Sequence, residues 1–184
     1  AGLNPLPIFV SSLKDPVAAA TLETIMSKVP PSIILNATGF AISAPGQKKV
    51  PGPFDLDMAP MVLQIVFSGG NKNSWLKESR GLSPRDIAMN VALPEVDGRI
   101  LTRAVSFKDA RRRDDLTQTD LVRYEPVKDR IQYVCRLAAS WVSLRQTPIS
   151  ERRFGLILAN YPNRDGRLGN GVGLDTPASV IRLL

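Results

Sequence analysis

LPIFVSSLKDPVAAATLETIMSKVPPSIILNATGF, residues 6–40, is the stretch whose reading decides the fold. Leu6 to Ser11 is a short apolar run carrying Ile8 and Val10, bounded by prolines, and it reads as a strand. Asp15 follows as a helix cap, with Pro16 in the first helical position where the missing N–H costs nothing. Ala18, Leu22, Ile25, Met26 and Val29 recur at helical spacing and bury one face, and Pro30-Pro31 stops the helix. Ile33 to Leu35 is fully apolar and reads as a second strand, ending in Asn36-Ala37-Thr38-Gly39. A strand, a helix long enough for a crossover and another strand make a right-handed βαβ unit, whose strands run parallel.

The same signals continue outward. Proline and glycine crowd residues 40–60 (Pro45, Pro51, Pro53 and Pro60 with Gly46 and Gly52), which predicts a long loop acting as a lid or linker. Val62 to Phe67 is the next strand, ending in Ser68-Gly69-Gly70. Ser83 caps a second helix, with Pro84 first and Asp86 third; Ile87 and Val91 point inward, and Pro94 is expected to end it. Ile100 to Phe107 reads as a strand, and the charged stretch 108–123 as a mobile loop. Pro126 to Thr147 is the longest helix, with Val127, Ile131, Val134, Ala138, Trp141 and Val142 as its buried stripe. Phe154 to Ala159 reads as a last strand, followed by a glycine-rich loop, Gly166 to Gly173, and a helix starting at Pro177 within a truncated terminal piece, 174–184.

The pattern predicts an α/β fold: a mostly parallel open sheet with flanking helices, Rossmann- or flavodoxin-like, in a single segment over 1–184. The last apolar stripe is cut off after about two turns, and the chain opens on a strand without a methionine. The segment is therefore expected to be a fragment of a larger multidomain chain.

Composition bounds the chemistry. With 43% hydrophobic and 22% charged residues, the chain can bury a sizeable core. No apolar run approaches the roughly 20 residues that span a bilayer, and no signal-peptide pattern opens the chain, so a cytoplasmic location without membrane contact is expected. Cys135 is the single cysteine and lies in a helical apolar pattern, which predicts a buried thiol and excludes an internal disulfide. The absence of histidine excludes Ser-His-Asp and Cys-His catalysis and His-ligated zinc within these residues. Acid–base work falls to carboxylates, lysine or tyrosine. The net charge of +7 raises nucleic-acid binding. Its basic residues, however, are interleaved with Asp109, Asp114, Asp115 and Asp120, without an aromatic platform. No nucleic-acid partner is expected; an anionic ligand or an acidic protein stays open.

Two features invite chemistry. The strand tips Ser11-Ser12, Asn36 to Gly39, Ser68 to Gly70 and Asn160-Tyr161 are small and polar, as a ligand crevice requires and as ordinary turns also require. Glu95 and Asp97 stand two apart between Pro94 and Gly98. Such a pair is either an acidic surface turn or a presented site for protons or a hard cation.

Ser83-Pro84-Arg85-Asp86-Ile87-Ala88-Met89-Asn90-Val91-Ala92, running on through Leu93-Pro94-Glu95-Val96-Asp97-Gly98-Arg99-Ile100, resembles the large subunit of the cobaltochelatase and magnesium-chelatase H-subunit family. So does Ala159-Asn160-Tyr161-Pro162-Asn163-Arg164-Asp165-Gly166-Arg167, with Asn170 to Pro177 after it. Asn4-Pro5-Leu6-Pro7, Ser11 to Pro16 and Leu35 to Phe40 fit the same family, and 41–60 and 108–123 match least. The resemblance implies ATP-dependent insertion of a divalent metal into a tetrapyrrole. Arg164-Asp165-Gly166-Arg167 resembles the cobalt branch, which would make cobalt the substrate metal and hydrogenobyrinic acid a,c-diamide its acceptor; magnesium into protoporphyrin is the alternative, as is a non-catalytic binding module. The implied partners are the remainder of the large subunit and two AAA+-type subunits that bind ATP and magnesium. No cofactor is expected to sit tightly on this segment, and the family's histidine motifs lie elsewhere in the longer subunit. Within the resemblance Glu95 is the expected proton acceptor and metal ligand and Asp97 its second. Arg99, Arg103, Asn160, Asn163 and Arg164 are the expected substrate contacts, with a structural ion pair the equal alternative for the first two.

Overall fold

The structure, a computed structural model, describes residues 2–43, 53–54, 59–158, 169, 171 and 173–183. It divides into two compact units, Ala1–Gln146 and Thr147–Leu184, where the sequence reads as one segment. In the first unit an open sheet runs in the order β1 (Ile33–Asn36), β2 (Met61–Ser68), β3 (Ile100–Asp114), β4 (Thr119–Pro126). The first three strands are parallel, and β4 is antiparallel to β3. The mostly parallel α/β sheet is therefore the one that forms. Asn36 pairs with Gln64 and Gln64 with Leu101, so the carboxyl end of β1 lies level with the start of β3.

Helix α1 (Pro16–Lys28) starts where the sequence places it, with the Asp15 carboxylate accepting from the Val17 and Ala18 N–H groups. Its Leu22 and Met26 pack with Leu13, and Val10, Ile34, Ile42 and Phe54 close around them. A second cluster joins Val66, Ala104, Phe107 and Val127, with Trp75 and Leu82 against it. Leu63, Val66 and Phe107 are wholly buried. Each such side chain contributes about 1.5–3 kcal/mol, so β2 and β3 carry much of the core of the first unit. Helix α5 (Lys128–Gln146) packs on β3, β1 and β2, burying Val134 and Ala138. Cys135 on that helix is half-buried rather than enclosed.

Several expectations are corrected. Leu6 to Ser11 joins no strand: Phe9 is 95% exposed, and Val10 packs on the α1 cluster instead. Pro5 and Pro7 lack the N–H groups a ladder needs, and the parallel pairs come from β1–β2 and β2–β3. The stretch 108–123 is no loop but most of a hairpin, with Asp109 opposite Arg123 and Arg113 opposite Asp120. Opposite charges facing across the ladder favour that pairing. A short helix, α2 (Lys72–Lys77), capped by Asn71, has no counterpart in the sequence reading. The Ser83 helix does not end at Pro94. It continues from α3 (Pro84–Ile87) through a wide π turn (Ala88–Ala92) into α4 (Leu93–Val96). Of the predicted loop 40–60, residues 44–52 and 55–58 lie outside the described residues.

The second unit holds a 3₁₀ turn (Ile149–Glu151), a lone bridge between Gly171 and Leu174, and helix α6 (Thr176–Leu183) with the Asp175 carboxylate at its start. Phe154 to Leu158, expected in a strand, belongs to none, and Ala159 lies outside the described residues. Among the described residues no helix is long and apolar enough to cross a membrane.

Candidate functional site

The segment from Ser83 to Arg99 carries the presented carboxylates, and its local chemistry explains which of them are free. The Ser83 hydroxyl accepts the Asp86 N–H at 3.1 Å, capping α3 over Pro84. The Asp86 carboxylate does not reach back to close a capping box. It turns to the end of β2, where Ser68 Oγ donates to it at 2.7 Å, the Gly69 N–H at 3.1 Å and Asn90 Nδ2 at 3.3 Å. Asp86 is buried by this arrangement. The Ser68-Gly69-Gly70 tip is thus occupied in holding the helical segment rather than lining an open crevice.

The π turn follows from Pro94. A proline has no N–H to give to the carbonyl four residues back, and its ring crowds that carbonyl. Here the helix widens so that the Leu93 N–H bonds Ala88 O, five residues back, and Pro94 is buried without a break. The Gly98 N–H then bonds Glu95 O at 2.9 Å, and Gly98 takes φ 73°, which turns the chain into β3.

The loop after β1 is strapped onto this turn. The Phe40 N–H donates to Met89 O at 2.8 Å. Gly39 lies so close that a Cβ there would stand 3.0 Å from Asn90 Oδ1 and 3.2 Å from Met89 O. Further along, the Ile42 and Ser43 N–H groups donate to the Asp97 carboxylate at 2.7 and 3.0 Å. Arg99 Nη2 donates to Asp97 Oδ2 at 2.7 Å, and its Nη1 reaches Thr38 O and Gln64 Oε1. Asn36 Nδ2 donates to the same Gln64 oxygen at 2.7 Å. One buried polar network therefore ties the tip of β1, the middle of β2 and the 97–99 turn. Burial alone would raise the Asp97 pKa; the two amide N–H groups and the Arg99 charge outweigh it and hold the carboxyl below its usual range. Burial lowers the Arg99 pKa against the pull of Asp97, and the guanidinium stays charged.

The expected site residues separate accordingly. Asp97 and Arg99 are turned inward on each other, with side chains 9% and 1% exposed; of the two readings open for Arg99, its placement is that of the structural ion pair. Glu95, on α4, is exposed, and among the described residues its carboxylate has no hydrogen-bond or ion-pair partner. Arg103 is half-buried on β3, its guanidinium 3.5 Å from the centre of the Tyr133 ring. Asn160, Asn163 and Arg164 lie outside the described residues. Among the described residues no three Cys, Asp or Glu side chains gather as a metal cage. Asp86, Gln64 and Asn90 escape the sequence reading as network members. The available signal was polar Gln64 inside an otherwise apolar strand.

A family model described as CobN/Magnesium Chelatase matches residues 1–184. The aerobic cobaltochelatase subunit CobN of a Sinorhizobium species is 51% identical over 183 residues, covering 100% of this chain and 14% of that protein. The corresponding Pseudomonas aeruginosa subunit is 46% identical, again over 100% of this chain and 14% of its own length. Magnesium-chelatase H subunits match more distantly. Among solved structures, the catalytic subunit of cobaltochelatase from Mycobacterium tuberculosis matches with a TM-score of 0.56 and 37% identity, covering 67% of this chain and 10% of that one. The chain thus spans about 14% of the length of the curated relatives it matches. On this match along its whole length, the chain belongs to the CobN/magnesium-chelatase family.

Proposed function

We propose that this chain is the stretch of a cobaltochelatase large subunit that presents Glu95 to the reacting centre while cobalt is inserted into hydrogenobyrinic acid a,c-diamide during cobalamin biosynthesis. The observation that carries the reading is the division of labour along Ser83–Arg99. Asp86 and Asp97 are consumed in anchoring the segment, and Glu95 alone of its three carboxylates is exposed and unpartnered among the described residues. The greater similarity to CobN than to the magnesium-chelatase subunits supports cobalt as the substrate metal.

Insertion exchanges two pyrrole N–H protons for one divalent cation, which must also shed water. A carboxylate serves both needs: it binds a hydrated cation and accepts a proton as the metal–nitrogen bond forms. Glu95 is assigned that role, and Asp97 the role of fixing the turn that carries it. Arg103, with Asn160, Asn163 and Arg164, is assigned to the acidic and amide side groups of the macrocycle. Two AAA+ partner subunits, holding ATP and magnesium, would drive the step, in a cytoplasmic complex completed by the remainder of the large subunit.

The test is reconstitution of the intact subunit with its two candidate partners. Cobalt-corrinoid absorbance should grow only with ATP and should not be replaced by a magnesium product with protoporphyrin. A magnesium product and no cobalt product would overturn the assignment.

A further inference from the structure

Two arginines outside the Glu95 segment are brought together without forming an ion pair to a carboxylate among the described residues. Arg103 on β3 lays its guanidinium over the ring of Tyr133. Tyr133 stands three residues after Arg130 on α5, and positions so spaced are neighbours on one helix face. Arg130 is pinned to the same place from its own side: its Nε donates to the carbonyl of Ala104, next to Arg103 in sequence. Its guanidinium lies 4.8 Å from the centre of the Trp75 ring, and that ring lies tilted against buried Phe107, with ring centres 5.0 Å apart.

Contact with an aromatic ring uses none of a guanidinium's N–H donors, and Arg130 spends only its Nε–H, on the Ala104 carbonyl. Among the described residues neither arginine forms an ion pair with a carboxylate, and both side chains are half-exposed. Burial, and then the charge of Arg103, depress the Arg130 pKa, while Asp129 opposes them from nearby. Two guanidinium groups fixed side by side repel each other, and an anion between them relieves that repulsion. The planar fork of arginine matches the two oxygens of a carboxylate.

We propose that Arg103 and Arg130 form a two-guanidinium clamp for a carboxylate at the periphery of the tetrapyrrole. The clamp rests on the proposed function for the identity of its ligand and adds Arg130, with the rings of Tyr133 and Trp75, to the Arg103 contact. It orients the macrocycle and takes no part in proton transfer.

Equilibrium binding of two corrinoid probes to the intact subunit tests it: hydrogenobyrinic acid a,c-diamide, and the same compound with its remaining carboxylates converted to methyl esters. Arg103→Met and Arg130→Met should each weaken binding of the acid about tenfold, the loss of one charge-assisted contact, and leave the ester unchanged. Arg130→Lys, which keeps the charge without the fork, should fall between. Circular dichroism should show each variant folded; a variant that unfolds is replaced by the lysine form for the same comparison. If the wild-type protein binds both probes and the substitutions leave their ratio unchanged, the clamp is wrong and the proposed function stands. If the wild-type protein binds neither, both are wrong.

Discussion

Asp97 Oδ2 lies 2.7 Å from Arg99 Nη2, in an ion pair whose arginine is buried and whose carboxylate is largely enclosed and also accepts from the Ile42 and Ser43 amides. The carboxylate that looked presented in the sequence is thus a fastener, and its neighbour Glu95 is the free group. Removing one member of a buried pair strands the other charge. Asp97→Ala should therefore cost about 3–5 kcal/mol, read as a lower urea midpoint with an unchanged slope. The double change Asp97→Leu with Arg99→Met should cost less than Asp97→Ala alone. A double variant weaker than the single one would show that the pair is not the main term.

The lowered Asp97 pKa sets a pH dependence. Below its ordinary value of 3.8 the unfolded chain takes up a proton that the folded chain still refuses, so the stabilisation is present above that value and drains away as pH falls through the folded-state value. Wild-type protein should lose more stability between about pH 5 and pH 2 than Asp97→Asn does. Parallel stability curves for the two proteins would remove Asp97 as the source.

Gly39 and Gly98 should respond differently to alanine. At Gly39 the added methyl meets Asn90 and the Met89 carbonyl, so Gly39→Ala should cost about 1–3 kcal/mol. It should also speed hydrogen exchange at the Phe40 N–H, which bonds the same carbonyl. At Gly98 nothing lies within 4 Å of the added carbon, and only the φ of 73° opposes it. Gly98→Ala should cost about 1–2 kcal/mol without loosening Phe40. Equal exchange rates at Phe40 in both variants would contradict the strap.

Legibility in the sequence followed the range of the forces. Asp15-Pro16 and Ser83-Pro84 are local cap-and-proline signals, and both helices start on them. The apolar runs of β1 and β2 are equally local. The hairpin was hidden because residues 108–123 are charged on both faces. Its pairing depends on Asp109 meeting Arg123 and Arg113 meeting Asp120 across the turn, a match that periodicity within one strand does not reveal. The run past Pro94 was hidden for a different reason: the compensating π turn is made by backbone two to six residues earlier. At the site, Glu95 and Asp97 are indistinguishable as a sequence pair. What separates them is the contact of Asp97 with residues more than fifty positions away, in the loop after β1.

The central claim is that Glu95 works on the reacting centre and not on the fold. Glu95→Gln in the intact subunit, reconstituted with the two proposed AAA+-type partners, should leave the urea midpoint within the shift that about 0.5 kcal/mol produces, as for an exposed residue without partners. Cobalt insertion under saturating corrinoid should fall at least a hundredfold, the scale of a lost general base, with the corrinoid still binding. Insertion at the wild-type rate by a folded, substrate-binding Glu95→Gln protein would contradict the account.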